Sequence, residues 1–328
     1  MSLYVIPDEI DFSAYMQETA GGRKVRDVGD YLQEMLDEIG EPQAAATGWA
    51  LPWDKTRETF RYHPGEVTLW AGSNGTGKSL LTGQIALDMV CRREPVVIAS
   101  LEMLPRRTLN RMVQQWIGSD PASYHGIPKA ENLLRELIRD FKGQAEGLLK
   151  IYDQVGQISA DEALAMARYC ADKLGTKHLV LDSLMKCVMG EDDYNGQKAF
   201  VDELCAIARD TGIHIHLVLH VKKPATEGKK PTKYDMKGTG AITDQPDNVI
   251  CVWRDKSKER DRRSNKMVSS TQPDQVLIVD KQRNGEGWEG MIGLWFHAQS
   301  QQFVVGHDAA PMDFYAAPRS EEFDGGAF

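Results

Sequence analysis

The sequence predicts an α/β fold in which a mostly parallel sheet is flanked by helices and extended at one edge by antiparallel strands. Three observations lead there. Short apolar runs at 67–71, 96–100, 178–181 and 213–219 alternate with stretches of helical period, and strands covered on both faces read as continuous apolar runs. The first run breaks into the glycine loop Gly72-Ser73-Asn74-Gly75-Thr76-Gly77-Lys78-Ser79, which fits G-x-x-x-x-G-K-[ST]. The last runs, 249–253, 275–281, 291–296 and 302–305, follow one another with no helical pattern between them, as strands added antiparallel to a sheet do.

Taken in order, residues 1–22 lack periodicity and contain a Gly-Gly pair, so a loosely ordered arm is expected. In residues 23–39, Val25, Val28, Leu32, Met35, Leu36 and Ile39 share one helical face. That face serves either its own domain or a neighbouring subunit. Residues 40–48, GEPQAAATG, read as a linker, and 49–306 as the main domain. After the glycine loop, Leu80, Leu81, Ile85, Leu87, Met89 and Val90 make an apolar helix. A strand at 96–100 leads to Ser100-Leu101-Glu102-Met103, and the next helix opens on Pro105, a favoured first position, and runs to about Ile117. The pattern over 120–150 is poorly resolved. Ser159 and Glu162 form a capping box for a helix ending near Gly175. The strand 178–181 closes on Asp182-Ser183, a helix over 198–209 turns Phe200, Val201, Leu204 and Ile207 inward, and the strand 213–219 ends at His220.

The glycine loop carries the first chemical conclusion. Its backbone must bend tightly and turn N–H groups around a polyphosphate, which leaves no room for Cβ atoms. Lys78 supplies a point charge to the β and γ phosphates, Ser79 offers a hydroxyl to Mg²⁺, and the helix N-terminus adds partial positive charge. A nucleoside triphosphate, ATP or dTTP or another, is the expected ligand.

Other candidates end strands, where parallel α/β sheets place their ligands. Asp182 can hold Mg²⁺ opposite Ser79. Glu102 can orient an attacking water as general base. His220 can reach the γ-phosphate. The set His214, His216 and His220 shares a strand face, but no further ligand cluster accompanies it, so metal binding there is not expected. Lys281-Gln282-Arg283-Asn284-Gly285 closes a strand with two cations on one side of the pleat. Projecting from a sheet edge, they are either solvated or reach a neighbour's nucleotide as trans-acting cations, and the second reading implies an oligomer. Between Lys222 and Lys237 lie six lysines (Lys222, Lys223, Lys229, Lys230, Lys233, Lys237) against Glu227 and Asp235, followed by Gly238, Thr239 and Gly240. Lysines neutralise phosphates and glycines expose backbone N–H groups, a combination suited to single-stranded DNA without base readout.

Composition sets the outer bounds. The chain has 328 residues, 27% charged and 41% hydrophobic, as in soluble globular domains. No apolar run approaches the ~18 residues of a membrane span, and the acidic start MSLYVIPDEIDF is no secretory signal. Five cysteines form no C-x-x-C pair, which fits reduced thiols in a cytoplasmic protein. A net charge of -9 argues against wrapping duplex DNA with the whole surface while allowing a local basic lining.

The set GSNGTGKS, SLEM, LVLDS, LVLH, DMKGTGAI and KQRNG, in this order and spacing, resembles the RecA-like helicase domain of DnaB-type hexameric replicative helicases. It is similar in particular to short-tailed phage primase-helicases and mitochondrial Twinkle, over about Arg23 to Gly306. The resemblance implies Lys78 and Ser79 on nucleotide and Mg²⁺, Glu102 as catalytic base, Asp182 as the Walker B carboxylate and His220 as γ-phosphate sensor. It implies Lys281 and Arg283 reaching the adjacent subunit's γ-phosphate, and Lys237, Gly238 and Gly240 lining a central channel that holds single-stranded DNA. The helix over 25–39 matches one that docks on the next protomer. Arg254 resembles an arginine that packs on the adenine, with Phe296 or His297 on the other face.

No primase and no N-terminal helical domain are read ahead of the linker, so priming is not expected of this chain and ring assembly has less support. The loop 256–274 is longer and more basic than the family pattern. The tail 307–328, with Asp313, Glu321, Glu322, Asp324 and a final Phe328, resembles tails with which phage helicases dock on a replicative polymerase; an inert terminus is the alternative. The expectation is thus an ATP-dependent 5′ to 3′ DNA helicase of a phage or prophage, a cytoplasmic hexamer with no membrane contact and possible primase and polymerase partners. A RecA-class recombinase filament and a non-unwinding DNA-binding ring that recruits a polymerase are the alternatives. A small-molecule kinase is disfavoured, because no substrate lid is apparent and KQRNG would lack a purpose.

Overall fold

The computed structural model describes Val28 and residues 48–188, 190, 193–221, 240–264, 266–284 and 287–314. A short antiparallel pair comes first, β1 (Trp49–Ala50) with β2 (Arg61–Tyr62). Then follow β3 (Val67–Gly72), α1 (Lys78–Cys91), β4 (Val96–Ser100), α2 (Pro105–Ile117), α3 (Pro128–Ala145) and β5 (Leu149–Ile151). The next elements are α4 (Ala160–Asp172), β6 (His178–Asp182), α5 (Tyr194–Thr211), β7 (His214–His220), α6 (Gly240–Asp244) and β8 (Asn248–Arg254). The chain closes with α7 (Lys256–Arg263), β9 (Gln275–Gln282), β10 (Gly290–His297) and β11 (Gln302–Val304).

Among the described residues nine strands form one sheet in the order β11-β10-β9-β8-β3-β7-β6-β4-β5. The six from β8 to β5 are parallel, and β9, β10 and β11 add antiparallel. Every residue of β3, β4 and β6 is buried, because helices cover both faces. Successive side chains of a strand point to opposite faces, so Val67, Leu69 and Ala71 pack with Met166, Leu204 and Ile207 of α4 and α5. Trp70 faces the other way, toward Leu81, Ile85 and Met89 of α1. Truncating such a side chain, Leu69→Ala for example, costs about 2–5 kcal/mol.

The outer strand β11 is closed off by a side chain. Gln84 of α1, fully buried, donates to the Phe303 carbonyl at 3.0 Å and accepts the Phe303 N–H at 2.7 Å, so one amide stands in for a missing strand and blunts a pairing edge.

Four expectations change. β8 runs parallel to β3, so the antiparallel extension begins only at β9. A helix, α7, stands between β8 and β9; its sequence KSKERDRR has no apolar period, and it is held by the Asp255 cap on Lys258 N and by Lys258 and Arg262 on Asp274. Only half of the capping box forms: Ser159 accepts from Glu162 N, while the Glu162 carboxylate takes the Tyr152 hydroxyl. Finally, Lys281 and Arg283 do not project from a sheet edge, because β9 lies between β8 and β10; they stand at the end of an inner strand. The N-terminal arm, the 23–39 stripe apart from Val28, the lysines at 222, 223, 229, 230, 233 and 237, and residues 315–328 lie outside the described residues.

Candidate functional site

The carboxyl ends of four parallel strands bring the predicted residues together. Register pairs Gly72 with His220 and Ser100 with Asp182, and Glu102 lies two residues beyond the end of β4. The glycine loop bends where the backbone demands it: Gly77 has φ 86°, and a Cβ there would stand 3.2 Å from the Phe303 ring. A Cβ on Gly72 would meet the Val252 carbonyl at 2.6 Å, so a larger residue cannot enter without moving β8.

Lys78 is 4% exposed and donates to the carbonyls of Gly72 at 2.7 Å and Ser73 at 3.1 Å. Its Nζ also lies 3.1 Å from His220 Nδ1. Burial lowers its pKa to about 8 against the opposing pull of Asp182 and Glu102. Glu102 Oε1 accepts the Ser183 hydroxyl at 2.8 Å and faces His220 Nε2 at 2.9 Å. The His220 contact, with help from Ser183, lowers the Glu102 carboxyl to about 2.

Asp182 is buried, and burial raises its pKa while the Ser79 hydroxyl works against that. Its Oδ1 has no hydrogen-bond partner among the described residues. A buried oxygen left without a donor is a costly arrangement for a carboxylate, and it is what a bound cation would relieve. One ligand atom each from Glu102, Asp182 and His220 lie within 4.8 Å of one another. Magnesium takes oxygen ligands, so Ser79 and Asp182 suit it and the imidazole does not. Ser79, Glu102 and His220 border a cavity of about 690 Å³ whose wall also includes Asn74, Gly75, Gly77, Lys78, Arg111, Gln157, Lys186 and Arg254.

Arg254 reaches back over the loop, with Nη1 3.4 Å from the Gly75 carbonyl and its guanidinium 5.8 Å from the centre of the Phe296 ring. His297 is engaged elsewhere, with Nδ1 2.8 Å from Ser300 Oγ. Lys281 and Arg283 are absent from this cavity. They stand at the opposite end of the sheet, where Gln282 pairs with Asn248 at the start of β8. Lys281 Nζ donates to the carbonyls of Thr243, Asp244 and Pro246, and Arg283 Nη1 lies 3.1 Å from Asp247 Oδ1. Of the DNA-binding candidates, Gly240 opens α6, and Lys222, Lys223, Lys229, Lys230, Lys237 and Gly238 lie outside the described residues.

Sequence reasoning missed several partners. Ser183 holds Glu102, Lys256 donates to the Asn74 carbonyl at 3.2 Å, and Glu66 accepts Asn284 Nδ2 at 2.6 Å. Only Ser183 had a signal, its place directly after Asp182.

The family profile described as DnaB-like helicase C terminal domain matches residues 54–305. The chain belongs to the DnaB-like helicase family. Its relatives include a DNA helicase/primase of Enterobacteria phage T3, 23% identical over 58% of this chain and 35% of that protein. The replicative DNA helicase DnaB of Treponema pallidum is 28% identical over 75% of this chain and 53% of its own length. For that of Haemophilus influenzae the figures are 21%, 89% and 64%. The chain thus spans between about a third and two thirds of the curated relatives it matches. The solved ATPase domain of G40P matches with a TM-score of 0.70 at 19% identity, covering 86% of this chain and 99% of that one. A DnaB-like replicative helicase solved for its interactions with primase matches at 0.66 and 18%, over 88% and 68%. At these identities the two structures establish the fold alone, a mostly parallel sheet flanked by helices that this chain shares with them.

Proposed function

We propose that this DnaB-like chain is the ATP-hydrolysing motor of a replicative DNA helicase, with each nucleotide enclosed between two copies. The observation that carries the reading is the separation of its charges. Lys78, Glu102, Asp182 and His220 gather at the carboxyl ends of the parallel strands, while Lys281 and Arg283 stand at the other end of the same sheet. From Thr68 to Gly72 the strand spans about 13 Å at ~3.3 Å per residue. The pair therefore cannot serve its own pocket and is placed to serve a neighbour's. A head-to-tail contact of this kind closes into a ring when its rotation permits, and a hexamer is the expected closure.

ATP, dTTP or another nucleoside triphosphate binds with its phosphates against the N–H groups of 73–78. Lys78 exchanges its carbonyl partners for β and γ oxygens. Ser79 and Asp182 hold Mg²⁺, which when bound neutralises charge on the phosphate oxygens. Oε1 of Glu102 is occupied by Ser183 and His220, so Oε2 orients the attacking water. His220 touches both Glu102 and Lys78 and is therefore placed to register the γ-phosphate. Arg254 and Phe296 pack the base. Residues 222–240 line the channel for single-stranded DNA, translocated 5′ to 3′, and the 23–39 helix docks on the next protomer. A phage or prophage replisome, a cytoplasmic setting, a separate primase and a polymerase held by the tail 307–328 complete the proposal. Among the described residues no helix is long and apolar enough to cross a membrane.

The test is Arg283→Ala, assayed for ATPase with single-stranded DNA. A trans-acting arginine contributes roughly 10³- to 10⁵-fold, so kcat should collapse while nucleotide binding persists. Near-normal turnover overturns the intersubunit site.

A further inference from the structure

Asp247 lies between α6 and β8 and is 5% exposed. Four bonds tie it to two residues. Its N–H donates to the Val67 carbonyl and its Oδ2 accepts the Val67 N–H, both at 3.0 Å. Its carbonyl accepts the Arg283 N–H at 2.9 Å, and its Oδ1 takes Arg283 Nη1 at 3.1 Å. Nη2 of the same guanidinium donates to the Asp244 carbonyl at 3.0 Å.

An exposed ion pair fixes little, since both side chains move and solvent screens them. Here one partner is immobile: the Asp247 carboxylate is 7% exposed and the Arg283 side chain 44%. A guanidinium has five N–H donors in a rigid plane, so holding it by one edge orients it and leaves further donors facing outward. Val67 begins β3, and β3 ends at Gly72 where the phosphate loop starts. Arg283 is thus anchored, through one carboxylate, to the strand that carries this chain's own nucleotide loop.

We propose that Asp247 is the positioning residue for Arg283, setting the angle at which this copy presents its guanidinium to the neighbour's nucleotide. The inference rests on the intersubunit site proposed above, and it adds a residue that touches neither nucleotide.

The test is Asp247→Asn in the full chain, which keeps size and loses charge. Affinity for a fluorescent ATP analogue should match wild type, because the variant's own pocket is intact; kcat of the DNA-stimulated ATPase should fall about 10²-fold, less than for Arg283→Ala. Asp247→Glu, which keeps charge and displaces it, should lose kcat likewise and serves if the first variant folds poorly. The deciding readout is subunit mixing. An equimolar mixture of Asp247→Asn with Lys78→Ala should regain activity, since a Lys78→Ala copy offers a well-placed Arg283 to a working pocket; with random mixing about a quarter of head-to-tail interfaces qualify. Wild-type kcat in Asp247→Asn overturns the proposal. So does a silent mixture when Arg283→Ala with Lys78→Ala recovers. If that second mixture also stays silent, the intersubunit reading falls and takes this proposal with it.

Discussion

His220 and Glu102 meet at 2.9 Å, Nε2 to Oε1, while the other imidazole nitrogen lies 3.1 Å from Lys78 Nζ. Lysine only donates and an ionised carboxylate only accepts, so these partners place the ring proton on Nε2. The result is a directed chain from Lys78 to Glu102, and in the proposed site any shift of Lys78 toward a γ-phosphate would be felt at Glu102. Because Ser183 donates to the same Oε1 at 2.8 Å, a single carboxylate oxygen is left for water. Ser183→Ala should therefore lower kcat by about tenfold, a ~1.4 kcal/mol loss of orientation, with nucleotide affinity unchanged. Equal loss in kcat and affinity would make Ser183 a structural residue instead.

Glu102→Gln should be more severe. With its carboxyl lowered to about 2 by His220 and Ser183, Glu102 is ionised near neutral pH, so in the proposed reaction it would act by orienting and polarising water. A charge-free amide of the same shape should cut kcat by ~10²- to 10⁴-fold while a fluorescent nucleotide still binds. Retained turnover would exclude Glu102 as the base.

Lys78 gives a pH signature. Its pKa, lowered to about 8 by burial, means that the cation is present below that value and lost as pH rises through it. Binding of a triphosphate favours the charged form and draws a proton back on. Nucleotide affinity should fall above about pH 8, by up to tenfold per unit. Calorimetry near pH 9 in two buffers of different ionisation enthalpy should show proton uptake. Constant affinity between about pH 7 and pH 9 would exclude the shift.

Phe296 and His297 can be separated directly. Arg254 stands over the Phe296 ring, and His297 is held by Ser300. Stacking on an aromatic ring is worth ~1–3 kcal/mol per base, so Phe296→Ala should raise KM for ATP about tenfold with kcat little changed, and His297→Ala should not. The reverse order would place the base on the other side of β10.

What was legible follows from where the information lies in the chain. Strands covered on both faces must be apolar throughout, so β3, β4, β6 and β7 announced themselves within a residue or two. The residues that end those strands, Glu102, Asp182 and His220, became candidates by position alone. The choice between Phe296 and His297 was not legible, since neighbours on a strand face opposite ways and only register decides which meets Arg254. The direction of β8 was hidden for a related reason: it depends on which strand it joins. α7 has no apolar face to detect. Asp247 was invisible because its partners are 36 and 180 positions away, and nothing local distinguishes it from a turn aspartate. Glu66, joined to Asn284 across 218 positions, was hidden the same way.

The imidazoles of the sheet carry the remaining prediction, and they separate structure from function on a single strand. His214 and His216 of β7 are fully buried with His178 of β6; His178 Nδ1 lies 3.3 Å from His216 Nε2, and His214 bonds Thr68 at 3.0 Å and the His63 carbonyl at 2.8 Å. Burial lowers all three, His214 to about 4, and the nearby Arg92 and Lys177 push His178 the same way. In the unfolded chain each titrates near 6.5. Above that pH neither state binds the proton and folding is unaffected; below it only the unfolded state does, so stability drains away as pH falls. His214 alone should forfeit about 3 kcal/mol between about pH 6.5 and its folded value, with further loss from the other two. Urea midpoints should therefore drop steeply between about pH 7 and pH 5, and His214→Gln, which titrates in neither state, should flatten the slope by one proton. An unchanged midpoint across that interval would mean that the three rings accept charge in place, against everything their burial predicts.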